Sequence, residues 1–248
     1  MLTEERFSKI LSIIEEKGSA TVQELMLALD ASESTIRRDL NAMDDNGLLT
    51  KVHGGAIAKR QKISTHDEAV MHRKTMNAEE KQAIAKYAAA LIEPVDFVYM
   101  DAGTTTGMMI DYLEPCGAVF VTNAIDHAKR LADRGFRVYI LGGEFKSQTE
   151  AIVGEEAIEN LEKYNFTKGF FGTNGISVSK GFSTPEVKEA MIKKKSMSNC
   201  KECFVLADAT KFEQISSVKF AEFDQATIIT KGELKPALKK YKNIVEVN

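Results

Sequence analysis

The segment 101-DAGTTTG-107 combines residue types that bind an anion beside a polyol. Gly103 lets the chain turn tightly and expose backbone N–H groups, and three threonines add hydroxyl donors where a helix is expected to begin. The first N–H groups of a helix lack internal partners, and its positive end favours a phosphate. The segment is neither GxxxxGK[ST] nor GxGxxG, so a threonine-capped turn that binds nothing stays open as an alternative.

Similar polar segments follow other short apolar runs, namely TNA (122–124), GGE (142–144), GTNGIS (172–177) and DATKF (208–212). Ligands of parallel α/β sheets bind at the carboxyl ends of the strands, where such segments meet. Asp101 is suited to accept hydrogen bonds from sugar hydroxyls, and Lys211 to supply the cation for a phosphate. Ordinary solvent-facing loops are the alternative. The candidate effector-binding residues are Asp101, Gly103, Thr104, Thr105, Thr106, Asn123, Gly142, Gly143, Asn174, Glu186, Lys188 and Lys211.

A second chemical pattern lies near the start of the chain, in 31-ASESTIRRDL-40. Ser32 is a typical helix N-cap. Ile36, Leu40 and Met43 recur at helical spacing and predict a buried face. The opposite face carries Glu33, Ser34, Arg37 and Arg38, which fits either a solvated surface or a helix that reads the edges of DNA bases.

The neighbouring elements favour the DNA-binding interpretation. Residues 4–17 predict an amphipathic helix that ends at Gly18, and 21-TVQE-24 is a capping box that begins a second helix. The segment 47-GLLTKVHGGAIAKR-60 predicts a small β-hairpin, and no acid occurs from Asn46 to Lys62. Two short helices, a tight turn and a hairpin predict a winged helix-turn-helix at 1–57, with a small helical interaction domain as the alternative.

The remainder predicts a polar linker at 58–75 and a larger domain at 76–248. Most of the larger domain's apolar runs are nearly continuous, as in strands covered on both faces, and helical segments separate most of them. This alternation predicts a mostly parallel, doubly wound α/β sheet. The predicted strands are 97–100, 118–121, 136–141, 168–171, 203–206, 226–230 and 244–247.

Composition excludes several classes of protein. The chain of 248 residues has a formal net charge of -3, which argues against a generally basic, nucleic-acid-coating protein. No apolar run approaches the roughly 18 residues of a membrane span, and the acidic N-terminus is unlike a signal peptide. Three cysteines without a regular framework indicate a reducing cytoplasm. The histidines lack metal-ligand spacing, 200-CKEC-203 is interpreted as part of a buried strand, and 193-KKK-195 as a solvated helix face.

IRRDL followed by GLLTKVHGGA resembles the N-terminal half of DeoR-type bacterial transcription regulators. In that family the second helix of the motif enters the major groove and the wing touches the DNA backbone. The resemblance implies that double-stranded operator DNA is a partner. The DNA-facing residues that it implies are Ser32, Ser34, Thr35, Arg37 and Arg38, with Lys51 and His53 in the wing.

DAGTTT, VTNA, LGGE, 181-GFSTPEVKEA-190 and DATKF resemble the effector domain of the same family. That domain is similar to sugar-phosphate isomerases of the ribose-5-phosphate type, which implies a phosphorylated sugar as the effector and no other cofactor. Many family members have an acid where Asn174 stands, and Asn cannot shuttle protons as an isomerase requires. ASESTIRRDL together with GTNGI is most similar to the fructose-operon regulators, whose expected effector is fructose 1-phosphate.

The predicted function is a non-enzymatic, cytoplasmic repressor of a sugar-utilisation operon, released from its operator by a sugar phosphate. A sugar-phosphate isomerase-like enzyme with an appended helical domain is the alternative. We expect a homo-oligomer, a dimer or a tetramer, because helix-turn-helix proteins read paired half-sites.

Overall fold

The computed structural model describes residues 2–46, 48–58, 63–64, 73 and 75–248. The chain folds into two compact units, Met1–Gln61 and Lys62–Asn248. Most of the predicted linker lies outside the described residues, as do Lys59, Arg60 and Lys62 of the acid-free stretch.

The smaller unit has the predicted winged helix-turn-helix architecture. A three-stranded antiparallel sheet in the order β1-β3-β2 packs with the helices around a core that includes Ile10, Leu25, Ile36 and Leu40. The three-residue strand β1 was not predicted, because it is too short to show an alternating pattern. The elements are α1 (Thr3–Lys17), β1 (Ser19–Thr21), α2 (Val22–Leu29), α3 (Glu33–Asp45), β2 (Leu49–Val52) and β3 (Gly55–Ala58).

Local signals set the boundaries of these helices, as the sequence predicted. Gly18 ends α1 in the left-handed region, with φ 78°. The Thr21 hydroxyl accepts a hydrogen bond from the Glu24 N–H at 3.2 Å, and the Glu24 carboxylate accepts one from the Thr21 N–H at 2.8 Å. Ser32 caps α3 by accepting from the Thr35 N–H at 3.3 Å. The capping residues therefore satisfy the backbone donors that helix starts leave unpaired.

The larger unit is built on a seven-stranded parallel sheet in the order β17-β16-β13-β10-β5-β6-β7, so the predicted doubly wound fold is confirmed. All seven predicted strands belong to it. Their bounds are β5 (Phe97–Met100), β6 (Val119–Thr122), β7 (Arg137–Ile140), β10 (Phe166–Gly172), β13 (Cys200–Leu206), β16 (Thr227–Thr230) and β17 (Ile244–Glu246).

Helices cover both faces of this sheet. Tyr99 of β5 packs into a core with side chains of α7 and α8, whereas its neighbours Val98 and Met100 pack into a second core with side chains of α4, α5 and α6. This division follows from the alternation of side chains along a strand. The helices are α4 (Ala78–Ala89), α5 (Thr104–Met109), α6 (Ile125–Asp133), α7 (Glu155–Leu161) and α8 (Val187–Ser198).

The strand order reverses between β5 and β10. The chain adds β6 and β7 on one side of β5, then returns to the other side with β10 and continues outward through β13, β16 and β17. The loops after β5 and β10 therefore diverge and leave a crevice at the carboxyl ends of the two strands, where open α/β sheets bind ligands.

The larger unit also has short strands outside the seven-stranded sheet. β11 (Gly175–Ser177), β12 (Gly181–Thr184) and β15 (Val218–Ala221) form an antiparallel sheet, and β8 (Glu144–Lys146) pairs with β9 (Ala151–Val153). Within the predicted linker, β4 (Ile63–Ser64) pairs in parallel with β14 (Ile215–Ser216). In the part of the chain that the structure describes, no helix is long and apolar enough to cross a membrane.

Candidate functional site

The first candidate site is the outer face of α3. Ser32, Ser34, Arg37 and Arg38 are exposed and Thr35 is half-buried. The Ser32 hydroxyl lies 3.0 Å from that of Ser34 and 2.9 Å from that of Thr35. The face therefore presents hydroxyls and guanidinium groups to solvent, while the apolar side of α3 is buried.

The two arginines of α3 differ in their surroundings. Arg37 donates to the Glu33 carboxylate at 2.7 Å, one helical turn away. Among the described residues, Arg38 has no carboxylate partner. Its charge is therefore the one on this face that is available to a phosphate or a base edge.

The wing extends beside this face, since the Asp44 carboxylate of α3 accepts a hydrogen bond from the Lys51 N–H at 3.2 Å. Lys51 and His53 are both exposed. Beneath the face, Asp39 is buried and forms an ion pair with Arg6 of α1. The sequence did not predict this pair, which fixes α3 against α1.

The second candidate site is the cleft where β5 and β10 diverge. The loop after β5 supplies Asp101 to Thr105, and the loop after β10 supplies Thr173 and Asn174. Side chains from the start of α4, from α8 and from the end of β13 complete the wall. The cleft brings together seven of the predicted effector-binding residues: Asp101, Gly103, Thr104, Thr105, Asn123, Asn174 and Lys211.

Asp101 lies at the base of this cleft in an ion pair with Lys193. It also accepts a hydrogen bond from the Gly172 N–H at 3.1 Å, and Lys193 donates to the Gly172 carbonyl at 3.1 Å. Burial raises the pKa of Asp101, and the charge of Lys193 opposes that rise only in part. The carboxylate is thus held in place but weakly compensated.

The position of Lys193 corrects the interpretation of 193-KKK-195 as a solvated helix face. Lys193 is only 6% exposed and points into the cleft, whereas Lys194 is exposed. Consecutive residues of a helix point in different directions, so a run of three lysines occupies more than one face of α8. Lys193 lies on the face that is turned toward the cleft. The i, i+4 spacing of Glu189 and Lys193, which places them on one face, is the signal that could have revealed this.

Glu189 is the second buried acid of the cleft. It accepts hydrogen bonds from Lys146 Nζ at 2.9 Å and from the Thr149 hydroxyl at 2.6 Å. Burial acts to raise the pKa of Glu189, but the nearby charge of Lys193 and these two hydrogen bonds outweigh it, so the pKa is lowered. Glu189 is therefore a carboxylate that anchors the β8–β9 hairpin to α8.

Two of the predicted ligand donors are engaged in the fold instead. The Thr106 hydroxyl donates to the carbonyl oxygens of Asp101 at 2.7 Å and Gly103 at 3.0 Å, and its side chain is buried below the cleft. Asn123 lines the cleft, but its amide accepts from the Ala102 N–H at 2.8 Å and donates to the Ile152 carbonyl at 3.2 Å. Both residues shape the loop after β5 rather than present free donors to a ligand.

Four other predicted residues do not line the cleft. Gly142 and Gly143 follow β7, and a Cβ on Gly143 would lie 2.7 Å from the Val153 carbonyl, so this glycine permits close packing of the hairpin. Glu186 caps α8 by accepting from the Glu189 N–H at 2.9 Å. Lys188 is exposed and pairs with Glu144 at 2.5 Å. Their local structure accounts for them without a ligand.

The sequence missed several residues that line the cleft. Arg73 and Asn77 come from the segment that leads into α4, and Lys81 of α4 donates to the Arg73 carbonyl. Asp208 lies in DATKF beside the predicted Lys211, and Thr149 lies in the loop between β8 and β9. No local pattern marks Arg73, Asn77 or Lys81, because their approach to the sheet edge depends on how α4 packs.

The charges of the cleft favour an anionic, hydroxyl-rich ligand. Four cationic side chains line it against three carboxylates, and among the described residues Lys211 has no ion-pair partner. Carboxylates accept from sugar hydroxyls and side-chain amides accept from or donate to them, while threonine, backbone N–H and lysine donors suit a phosphate. The cations are Arg73, Lys81, Lys193 and Lys211, and the carboxylates are Asp101, Glu189 and Asp208.

Comparison with known proteins gives matches for both units. Residues 6–62 match the family model of the DeoR-like helix-turn-helix domain, and residues 76–232 match that of the DeoR C-terminal sensor domain. An uncharacterised HTH-type transcriptional regulator, FruR, of Bacillus subtilis (strain 168) is 42% identical over 231 residues, which cover 93% of this chain and 91% of the relative. The lactose phosphotransferase system repressor of Staphylococcus aureus (strain NCTC 8325 / PS 47) is 33% identical over 250 residues, which cover 98% of each protein.

Two solved structures are more distantly similar. Ribose 5-phosphate isomerase A of Methanocaldococcus jannaschii matches with a TM-score of 0.42 and 15% identity over 55% of each chain. The full-length sorbitol operon regulator SorC of Klebsiella pneumoniae matches with a TM-score of 0.36 and 12% identity, over 83% of this chain and 88% of that one.

Proposed function

This chain belongs to the DeoR family of transcription regulators, and from that membership we propose that it represses a sugar-utilisation operon and is released from its operator by a phosphorylated sugar. The observation that carries the proposal is the cleft at the strand-order reversal, with its surplus of cations beside Asp101 and Asn174. The repressor named among its relatives acts on a phosphotransferase system, which supports the same class of target for this chain.

In the proposed complex the phosphate lies on the backbone and hydroxyls of Gly103 to Thr105, with Lys211 as its cation. The sugar hydroxyls extend toward Asp101 and Asn174. Fructose 1-phosphate is the first candidate, because 31-ASESTIRRDL-40 and 172-GTNGI-176 resemble the fructose-operon regulators.

We propose binding without turnover. An aldose–ketose isomerisation needs a carboxylate that shuttles protons. Asn174 has no carboxylate, Asp101 and Glu189 are each held by a lysine, and Asp208 accepts from the Thr210 N–H at 3.0 Å and from the Thr210 hydroxyl. Incubation with pentose and hexose phosphates, followed by product analysis, tests this assignment, and isomerised product would refute it.

A thermal-shift screen of sugar phosphates, followed by gel shift on the operator, tests the effector. A ligand at 100 times its Kd stabilises the protein by about 2.7 kcal/mol. Fructose 1-phosphate should raise the unfolding temperature and release the operator, while fructose and inorganic phosphate at the same concentration should do neither. If no phosphorylated sugar releases the operator, the effector assignment is wrong.

Arg38→Ala tests the DNA-binding face. Because Arg38 is exposed, the unfolding temperature should not change, but operator affinity should fall by about 1–3 kcal/mol. A base contact would make the loss specific for one operator position, and a phosphate contact would make it equal for all sequences. Lys86→Ala, which removes an exposed charge from the larger unit, is the control. If Arg38→Ala binds operator and random DNA as tightly as wild type does, Arg38 does not contact DNA and the prediction is wrong.

DNA reading by paired half-sites also requires at least a homodimer. Sedimentation of the purified protein with and without operator DNA measures this directly. A monomer that binds the full operator with a one-to-one stoichiometry would contradict it.

A further inference from the structure

A buried ion pair joins α1 to α3, the helix that carries the proposed DNA-binding face. Both oxygens of the Asp39 carboxylate accept hydrogen bonds from the Arg6 guanidinium: Nε donates to one oxygen, and Nη2 donates to the other at 3.0 Å. The Arg6 side chain is 10% exposed and that of Asp39 is 3% exposed. A guanidinium and a carboxylate joined by two such bonds have a defined relative orientation, so the pair fixes the two helices in angle as well as in distance.

The apolar contacts between the same helices define their orientation less sharply. The core of the smaller unit includes Ile10 and Ile14 of α1 and Ile36, Leu40 and Met43 of α3. The attraction between apolar surfaces has no preferred direction, and a methionine side chain adapts its shape to its neighbours. The core therefore holds α3 against α1, while the ion pair sets the rotation of α3 about its own axis.

Stability alone does not account for a buried ion pair at this position. Removing two charges from water costs free energy that their mutual attraction offsets only in part, and apolar side chains of similar volume are often at least as stabilising. An apolar pair, however, has no hydrogen bonds and therefore no preferred angle between its members. The property that requires Arg6 and Asp39 in particular is therefore the orientation of α3.

The orientation of α3 matters because Asp39 adjoins the residues that this helix presents to solvent. Ser34, Arg37 and Arg38 are exposed, and Arg38 directly precedes Asp39. Side chains extend about 5–6 Å from a helix axis, so a rotation of α3 by about 10° moves them by about 1 Å. Recognition requires contacting groups to lie within about 0.5 Å of their productive position. A small rotation of α3 is thus enough to lose a contact with a base edge.

We propose that Arg6 and Asp39 are positioning residues for operator recognition: their ion pair fixes the rotation of α3, so that its exposed side chains meet base edges in the major groove. This inference rests on the proposed function and adds to it two buried residues that do not contact DNA. Attraction between a cation and a phosphate tolerates small displacements, whereas a hydrogen bond to a base edge does not. Loss of the pair should therefore lower affinity for the operator and leave affinity for random DNA unchanged.

Replacing the pair with apolar residues is the first test. Arg6→Met/Asp39→Leu keeps the net charge and leaves no buried charge without a partner, so its unfolding temperature should stay close to that of wild type. In gel shifts, operator affinity should fall about tenfold or more, while affinity for random DNA of the same length should stay within about twofold of wild type. Glu5→Gln/Lys9→Met removes an exposed pair of α1, 3.7 Å apart, and should keep both affinities. A wild-type ratio of operator affinity to random-DNA affinity in the apolar variant would overturn the proposal.

Arg6→Lys is the second test, and it does not depend on whether the apolar variant folds. The lysine ammonium compensates the charge of Asp39, but it is a point charge without the planar fork of a guanidinium. Circular dichroism should show a folded protein, and the ratio of operator affinity to random-DNA affinity should fall about threefold or more. The wild-type ratio in Arg6→Lys would show that charge compensation is all that the pair supplies, and the positioning role would be wrong.

The two tests also separate this inference from the proposed function. Neither test uses a sugar phosphate, so neither depends on the effector assignment. If Arg38→Ala loses operator affinity but both Arg6 variants keep the wild-type ratio, the DNA-binding face stands and the positioning role is wrong. If Arg38→Ala binds as wild type does and the ratio falls in the Arg6 variants, the pair positions other contacts of α3, and only the assignment of Arg38 fails.

Discussion

Strand β5 has an aspartate–lysine ion pair at each of its ends, and the two pairs have different surroundings. At the amino end, Asp96 accepts from Lys168 at 2.8 Å, from the Glu93 N–H at 2.7 Å and from the Thr167 hydroxyl at 2.7 Å. Burial acts to raise the pKa of Asp96, but these three hydrogen bonds outweigh it and the pKa is lowered.

At the carboxyl end, Asp101 has fewer compensating groups. Its side chain is only 2% exposed, its donors among the described residues are Lys193 and the Gly172 N–H, and burial raises its pKa. At the amino end of β5, Asp96 and its donors satisfy one another's hydrogen bonds, so this end has a structural role. The carboxyl end lies where the chain diverges, so a ligand can supply the interactions that the fold leaves out. A buried ion pair does not by itself indicate a functional site. The informative feature is whether the fold supplies all the hydrogen bonds and charges that the carboxylate requires.

The largest difference in stability between the two ends of β5 is expected when the lysine of each ion pair is replaced. Lys193→Met leaves the Asp101 charge buried without its partner, and the free energy of unfolding of the larger unit should fall by about 3–5 kcal/mol. Lys168→Met should cost clearly less, because Asp96 keeps two other donors. Urea unfolding followed by tyrosine fluorescence measures this, since all six tyrosines lie in the larger unit. Equal losses for the two variants would break the comparison.

A substitution beside the Asp101–Lys193 pair should weaken binding of the effector, whereas a substitution beside the Asp96–Lys168 pair should not. Thr104→Glu places a carboxylate where the phosphate is proposed to lie, and affinity for fructose 1-phosphate should fall roughly 10–100-fold, since charge-assisted hydrogen bonds contribute about 1.5–3 kcal/mol each. The variant should still bind its operator and should not be released from it. Thr167→Val at the amino end and Thr104→Ser are the controls, and both should keep their response. Release of Thr104→Glu at the wild-type concentration would place the phosphate elsewhere.

The pH dependence of stability should have opposite signs at the two ends. Because the native pKa of Asp96 is lowered, its ionisation stabilises the fold above the unfolded value of about 3.9, and this contribution is lost as the pH falls through the native pKa. Because the native pKa of Asp101 is raised, its ionisation opposes folding, and that opposition disappears as the pH falls through the native pKa toward about 3.9.

Unfolding curves of Asp96→Asn and Asp101→Asn across this pH range measure both signs. The stability advantage of wild type over Asp96→Asn should shrink below about pH 3.9. The stability of wild type relative to Asp101→Asn should instead improve as the pH is lowered toward that value. The same slope for both variants would show that the two ends are equivalent.

The smallest effect is expected from Asn174→Asp, which adds a carboxylate to the cleft at the carboxyl ends of β5 and β10. The Asn174 side-chain oxygen accepts from the Thr184 hydroxyl at 3.1 Å, and a carboxylate oxygen can accept the same bond. The variant should fold as wild type does and change its preference among sugar phosphates. It should show no isomerase turnover, because Asp101, Glu189 and Asp208 are each engaged by other groups and an added carboxylate without a tuned partner does not make an active site. Turnover by the variant would mean that the cleft needs only that acid to act as an enzyme.

Much of the fold was predictable because its signals are local. Gly18, the Thr21–Glu24 box and the Ser32 cap act within one helical turn, and the seven apolar runs were long enough to identify as buried strands. The strands that the sequence did not predict, β1 and β4 among them, are two to four residues long. Strands this short form because a neighbouring strand offers hydrogen bonds to them, and no periodicity in their own sequence reveals it.

The sequence by itself determined the helix boundaries, the winged helix-turn-helix, the alternating α/β pattern and the polar segments at the strand ends, since each depends on residues close along the chain. Only the tertiary structure decided which polar side chains meet. It turned Lys193 into the cleft against Asp101, 92 positions away, and it engaged Thr106 and Asn123 with the backbone. Partners this distant along the chain are brought together by the order of the strands and the packing of the helices. For a buried charged group, that arrangement decides whether the fold compensates the charge or leaves it available to a ligand.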